Sequence, residues 1–276
     1  MPELPEVEVV KLGLEPLLVG RVLQKCGFSG KALRLPIPRS QFKNWVLAAK
    51  VIGLRRRAKF ISIDLDNKAN IVVHLGMTGK LGLFTRKSVR KPHDHAWILL
   101  DNEMELRFND VRRFGSLQVV SPEEDGDALF AKIGPEPFSE EFSVDYLTGK
   151  AKKRGQPVKN FLMDSHIVAG IGNIYASEIL FEAGVRPDKA VGRVTAAQWQ
   201  KIIRKSRSVL KRAIAAGGST IADFVGSSGE KGYFQLQLNV YGKKGQSCPL
   251  CAASISKTVM AGRATYFCPG CQAEDR

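Results

Sequence analysis

The sequence predicts a multidomain α+β chain: an N-terminal antiparallel β-sandwich led by a helix, then a helical domain, then a C-terminal β-hairpin zinc finger. Three observations carry this. Short apolar runs, several alternating with period two, dominate from about residue 21 to 120. After Ile133-Gly-Pro-Glu-Pro-Phe138 the apolar spacing turns helical. Four of the five cysteines, Cys248, Cys251, Cys268 and Cys271, close the chain as C-x2-C-x16-C-x2-C, a spacing that reads as a site for one structural Zn2+. The expected domains are 1–132, 133–239 and 240–276.

Composition narrows the partners. Lys plus Arg number 42 against 27 Asp plus Glu, a formal charge of +15, and the pI is about 9.7, so a polyanion is the expected partner and nucleic acid leads. The basic residues are spread along the chain instead of gathered on one amphipathic helix, which disfavours a membrane surface. No apolar run reaches the roughly 18 residues of a membrane span, and no basic start followed by an apolar core opens the chain. The expected location is cytoplasmic, where thiols stay reduced and the paired cysteines hold metal instead of forming two disulfides. Cys26 is left over as a core residue.

The chain opens Met1-Pro-Glu-Leu-Pro-Glu-Val-Glu8. Removal of Met1, usual before a small residue, leaves Pro2 with a secondary α-amine of pKa near ~8. Such an amine attacks an aldehydic carbon to give an iminium, which has no N–H to lose and remains an electron sink. Glu3 and Glu6 are both placed to move protons there. The plainer reading of the same stretch is a helix start, with Pro5 at the first helical position and acids in the first turn. Leu4, Val7, Val10, Leu14, Leu17 and Leu18 then recur at helical spacing, and Gly20 stops a helix expected over 5–19.

Strands are expected at Val22–Phe28, Val51–Leu54, Phe60–Leu65, Ile71–Leu75, Trp97–Leu100, Glu105–Phe108 and Leu117–Val120. Period two places Lys59 on the face of Ile61, Ile63 and Leu65; it either snorkels from the sheet edge or, beside Arg55-Arg56-Arg57, meets a phosphate. The segment His74–Gly82, with glycines at 76, 79 and 82, reads as a loop that something approaches closely. Met77 at its tip is either loop packing or an apolar wedge between base steps. Asp110-Val-Arg-Arg-Phe-Gly115 makes a second tip, where Arg112 and Phe114 either form an ordinary hairpin with a buried ring or fill a gap in a base stack. His93-Asp-His95 is too sparse for a metal site and reads as phosphate-binding or structural.

Beyond residue 138, helices are expected at Val144–Lys152, Val158–Met163, Ile174–Ala183, Ala196–Ala216 and Ile221–Val225, with Arg154 and Lys159 extending the basic surface. Asn173 is placed as an N-cap, either plain or presenting a phosphate-binding helix end. Ser227–Tyr233 is glycine-rich and suits a loop that closes over a bound group. In the last segment a hairpin is expected to turn near Ala261-Gly262-Arg263, with Arg263 either solvated or on a backbone phosphate.

Taken together these motifs resemble bacterial formamidopyrimidine-DNA glycosylases along the whole chain. The resemblance rests on Pro-Glu-Leu-Pro-Glu at the start, Arg56-Arg-Ala-Lys59, His74-Leu-Gly-Met77, His93-Asp-His95, Arg112-Arg-Phe-Gly115, Gly134-Pro-Glu-Pro137, Gly172-Asn-Ile-Tyr-Ala-Ser-Glu178, Gly232-Tyr-Phe234, Val240-Tyr-Gly242 and the four cysteines. It implies that the middle domain is a helix-two-turn-helix unit with a lesion-capping loop, and that the partner is double-stranded DNA containing an oxidised base, bound by a monomer. It implies a base-excision-repair enzyme for oxidised purines, with Pro2 attacking C1′ of a flipped nucleotide and Glu3 as its acid/base partner. By the same resemblance Lys59 assists the first strand-cutting elimination and Arg263 the second. His74, His93, Arg112, Arg154, Lys159 and Asn173 would bind DNA, with Met77, Arg112 and Phe114 in the space the flipped base leaves. Val111 stands where the family usually has Pro, and Arg154 where Lys is common. Two other readings carry different expectations: an endonuclease VIII-type glycosylase for oxidised pyrimidines, which usually has Gly where Leu4 stands, and a catalytically silent zinc-dependent DNA-binding protein, which retention of Met1 would favour.

Overall fold

A computed structural model describes residues 2–126, 128–217 and 238–274. The expected closing loop Ser227–Tyr233, the helix Ile221–Val225 and the Gly232-Tyr-Phe234 motif lie outside the described residues. The chain divides into two compact units, one holding the residues up to Ala131 and the other Lys132–Ala215 with the chain from Leu236 on.

The first unit begins with α1 (Leu4–Leu18), where Leu4, Val7, Val10, Leu14 and Leu18 are buried and Leu17, expected inside, is 37% exposed. Gly20, at φ 87°, follows the helix in the left-handed conformation that glycine adopts without strain. Then come β1 (Leu23–Phe28), a short α2 (Arg39–Gln41) continuing as a π-helical turn, β2 (Val51–Arg57), β3 (Phe60–Leu65), β4 (Asn70–His74), β5 (Gly79–Thr85), β6 (Asp94–Leu100), β7 (Met104–Asp110) and β8 (Ser116–Val120). Two four-stranded sheets result, ordered β1-β6-β7-β5 and β2-β3-β4-β8, with antiparallel pairing throughout. Inward residues such as Ile61, Ile63, Ile71 and Val73 of one sheet share a core with Leu81, Leu83, Ile98, Leu106 and Phe108 of the other, and α1 adds Val7, Val10, Leu14 and Leu18.

Two local expectations are corrected. The stretch to Gly82 is not all loop: β5 starts at Gly79 and pairs with β7 from Gly79↔Asp110 to Thr85↔Met104. Leu81 and Leu83 face the core, and this burial outweighs the weak strand propensity of the glycines. At Gly79 a Cβ would stand 2.1 Å from the Leu75 carbonyl oxygen, so glycine is needed there for close approach, not for a loop. Lys59 likewise lies outside β3, in a two-residue turn with Ala58, which takes φ 53°; Arg57 and Phe60 close the hairpin.

The second unit contains α3 (Val144–Ala151), α4 (Val158–Met163), α5 (Asn173–Ala183) and α6 (Ala196–Ala215). On α6, Trp199, Ile202, Ile203, Ser206, Val209, Leu210 and Ala213 are buried at helical spacing, opposite Lys201, Arg204 and Arg212. The hairpin β9 (Ser256–Met260) and β10 (Arg263–Phe267) closes the unit. Its turn is Ala261-Gly262, at φ 46° and 71°, which makes Arg263 the first strand residue. No helix among the described residues is long and apolar enough to cross a membrane.

Candidate active site and DNA interface

In the first unit, Pro2 immediately precedes Glu3, the N-cap of α1. Glu6 Oε2 accepts from the Glu3 N–H at 2.8 Å, and the Glu3 side chain accepts from the Glu6 N–H in return. This capping box satisfies two backbone donors at the helix start and gives each of the two carboxylates a backbone partner. Both carboxylates are buried, each residue 2% exposed. Further along α1, Glu8 accepts from Arg56 Nε at 2.5 Å, while Arg56 also donates to the Ala58 carbonyl at 3.0 Å. The turn that carries Lys59 is thereby tied to the N-terminal half of α1.

His74, paired with Phe60 across β3 and β4, stands next to that turn. Burial first, then the charges of Arg34 and Lys59, hold its pKa down at about 4, so the ring is neutral near pH 7. Its Nδ1 accepts from the Gly76 N–H at 3.1 Å, which assigns the proton to Nε2 and leaves a donor suited to a phosphate oxygen.

The two tips meet. Met77 and Phe114 are 39% and 46% exposed, and the Arg112 guanidinium lies 4.7 Å from the Phe114 ring centroid. His93 is half-buried just before β6, and its carbonyl accepts from Asp110 N–H at 3.0 Å, at the base of the second tip. Its neighbour His95 is structural: the ring is fully buried, with Ser29 Oγ at 2.9 Å from Nδ1 and the Asp110 carbonyl at 3.0 Å from Nε2.

In the second unit the expected N-cap shifts by one: Gly172 caps α5 and Asn173 is its first helical residue. The Asn173 side chain turns to the hairpin, donating to Ala264 O at 3.0 Å and Tyr241 Oη at 3.2 Å. Lys159 is 0% exposed, and its ammonium donates to Asn173 Oδ1 at 2.5 Å, Thr265 Oγ1 at 2.7 Å and Ala264 O at 3.4 Å. A lysine so enclosed holds α4, α5 and β10 together beside Arg263; it does not present its charge at a surface. Arg263 and Arg154 are exposed, Arg154 in the turn before α4. Sequence reasoning assigned no role to Glu178, which accepts from Asn239, Val240 and Tyr241 N–H at 2.8, 2.9 and 2.8 Å and so ties the chain entering the finger to α5. Its signals were an acid within a largely apolar helix and its place at the end of the Gly172–Glu178 motif.

The four finger sulfurs lie within 4.8 Å of one another, with Cys248–Cys271 at 3.7 Å and Cys251–Cys268 at 3.4 Å. Tetrahedral coordination at ~2.3 Å per bond requires sulfur separations of roughly 3.8 Å, so the donor set suits one structural zinc with no open position. N–H groups of Leu250 and Cys271 point at Cys248 Sγ and Cys268 Sγ, both at 3.4 Å, a second shell that favours thiolate. Metal analysis of reduced protein is expected to find one zinc per chain. Cys248→Ser should lose it and bind DNA more than about tenfold more weakly through a loosened hairpin, while circular dichroism still reports a folded sandwich; zinc-free wild-type protein would overturn the assignment.

Three family models match the chain in order: "Formamidopyrimidine-DNA glycosylase N-terminal domain" over residues 1–117, "Formamidopyrimidine-DNA glycosylase H2TH domain" over 133–225 and "Zinc finger found in FPG and IleRS" over 245–273. A formamidopyrimidine-DNA glycosylase of Acidithiobacillus ferrooxidans is 43% identical over 277 residues, covering 99% of this chain and 100% of the relative. Among solved structures, the Lactococcus lactis enzyme bound non-covalently to DNA containing an abasic site aligns with TM-score 0.88 at 32% identity, covering 99% and 100% of the two chains. The same enzyme in complex with Fapy-dG-containing DNA aligns with TM-score 0.85 at 33% identity, over 99% and 100%.

Proposed function

The chain belongs to the formamidopyrimidine-DNA glycosylase family, and on that premise we propose that it excises 8-oxoguanine and formamidopyrimidines from duplex DNA through a Schiff base on Pro2 and cuts the strand by β,δ-elimination. Membership makes it a DNA glycosylase of oxidised-base excision repair. The observation that carries the finer reading is the placement of Pro2 directly before the capping carboxylate Glu3, on a helix tied to the Lys59 turn.

In the proposed reaction the neutral Pro2 nitrogen attacks C1′ of the extruded nucleotide, the glycosidic bond breaks, and the base leaves with its electron pair and a proton. Glu3 moves protons at the opening sugar. The resulting iminium at C1′ acidifies C2′–H; loss of that proton expels the 3′-phosphate, and loss of a second proton expels the 5′-phosphate. Lys59 assists the first elimination and Arg263 the second. Neutral His74, with His93, Arg112, Arg154 and Asn173, binds the phosphate backbone, and Lys159 serves that surface from within by fixing Asn173 and the hairpin. Met77, Arg112 and Phe114 fill the vacated stack. The division into 1–132, 133–239 and 240–276 assigns these tasks to a catalytic sandwich, a helix-two-turn-helix domain and the finger, acting as a monomer on DNA.

The test is the chemistry of the cut ends. With an 8-oxoguanine duplex labelled at either end, both fragments are expected to carry terminal phosphates around a one-nucleotide gap. A product ending only in a 3′ unsaturated aldehyde would limit the enzyme to one elimination. Preference for thymine glycol over 8-oxoguanine would favour the endonuclease VIII-type reading.

A further inference from the structure

Asp110 ends β7 fully buried, and no step above uses it. Its Oδ1 accepts from Thr78 Oγ1 at 2.5 Å, and its Oδ2 accepts from the Gly115 N–H at 2.8 Å. Thr78 Oγ1 in turn accepts from the Arg112 N–H at 3.0 Å. One hydroxyl and one carboxylate therefore join the Met77 tip to both ends of the Arg112–Phe114 tip, using the donor and an acceptor site of the hydroxyl.

A second observation agrees. At Gly76, φ 66°, a Cβ would fall 2.4 Å from Gly115 N and 2.5 Å from Phe114 C, so the two backbones lie in direct contact. Arg113, between the two wedge residues, holds φ 57°, a left-handed conformation that a non-glycine residue keeps only where its surroundings dictate it. The side chains above this buried junction, Met77, Val111 and Phe114, are exposed apolar groups.

We propose that Thr78 and Asp110 are positioning residues that lock the two tips into one rigid wedge, so that Met77 and the Arg112–Phe114 pair enter the duplex together. The inference rests on the wedge role proposed for those three side chains. A pre-joined wedge is ordered before it meets DNA, whereas separate loops must be ordered during extrusion, when base unpairing is already being driven.

The test compares Thr78→Val, which is isosteric but can neither donate nor accept, with Thr78→Ser, which does both. Single-turnover excision of 8-oxoguanine from a duplex is set against cleavage of the same duplex with a pre-formed abasic site. Thr78→Val is expected to slow duplex excision about tenfold, the factor that a lost buried hydrogen-bond pair commands, with abasic-site cleavage changed less than about twofold and Thr78→Ser close to wild type. Asp110→Asn, which loses an acceptor for Gly115 or Thr78, should reproduce the pattern. Wild-type excision by Thr78→Val would overturn the lock, as would equal losses on both substrates with a lowered Tm, which mark a purely structural residue. Met77, Arg112 and Phe114 changed together to Ala separate the two claims. If that triple variant excises normally, the wedge role fails; if it is impaired while Thr78→Val is not, only the lock fails.

Discussion

A form of the chain extended by a few residues before Pro2 is expected to bind an 8-oxoguanine duplex normally and to leave no covalent adduct on borohydride reduction. Extension turns the secondary amine into an amide, whose nitrogen pair is delocalised and cannot attack C1′. Removing a nucleophile that works as a unit with its acid/base partner costs on the order of 10³- to 10⁶-fold in rate. The fold should survive, because α1 starts at Leu4 and is closed by the reciprocal bonds of Glu3 and Glu6, neither of which needs a free terminus. Pro2→Gly is the weaker test, since it keeps an amine. Equal trapping of wild type and the extended form would remove Pro2 from the reaction while leaving family membership untouched.

Glu3→Gln is expected to retain DNA binding and lose excision by roughly 10²- to 10⁴-fold, the span of general acid/base help. The structure sharpens this comparison. A glutamine at position 3 still offers an oxygen to the Glu6 N–H, so the helix start is preserved and the loss is chemical. Glu6→Gln also keeps an acceptor for the Glu3 N–H, and because Glu3, not Glu6, adjoins Pro2 in the chain, its excision rate should stay within about threefold of wild type. Unfolding midpoints of both variants near that of wild type would confirm that the capping box holds. If Glu6→Gln lost as much as Glu3→Gln, the capping acid would be the proton carrier.

Much of the chain is legible in one dimension. The helix from Leu4 to Leu18, the order of strands then helices, and the finger follow from periodicity, from the break at Ile133–Phe138 and from cysteine spacing, because a helix face, a sheet face and a four-thiolate site each constrain residues at short range. Pro2 and Glu3 are candidates by their chemistry and position alone. Pairing across the fold decided what local rules misread. β5 forms through glycines since β7 offers it a partner and the core a place for Leu81 and Leu83. Lys59 leaves the strand because Arg57 and Phe60 close a two-residue turn. Lys159, a surface cation by composition, is drawn wholly inside by acceptors more than a hundred residues away at Ala264 and Thr265. Thr78 and Asp110, 32 residues apart, meet only when the hairpins pack. For β5, Lys159 and the Thr78–Asp110 pair the deciding partner is distant in the chain, and a sequence shows which groups need partners without showing where those partners come from.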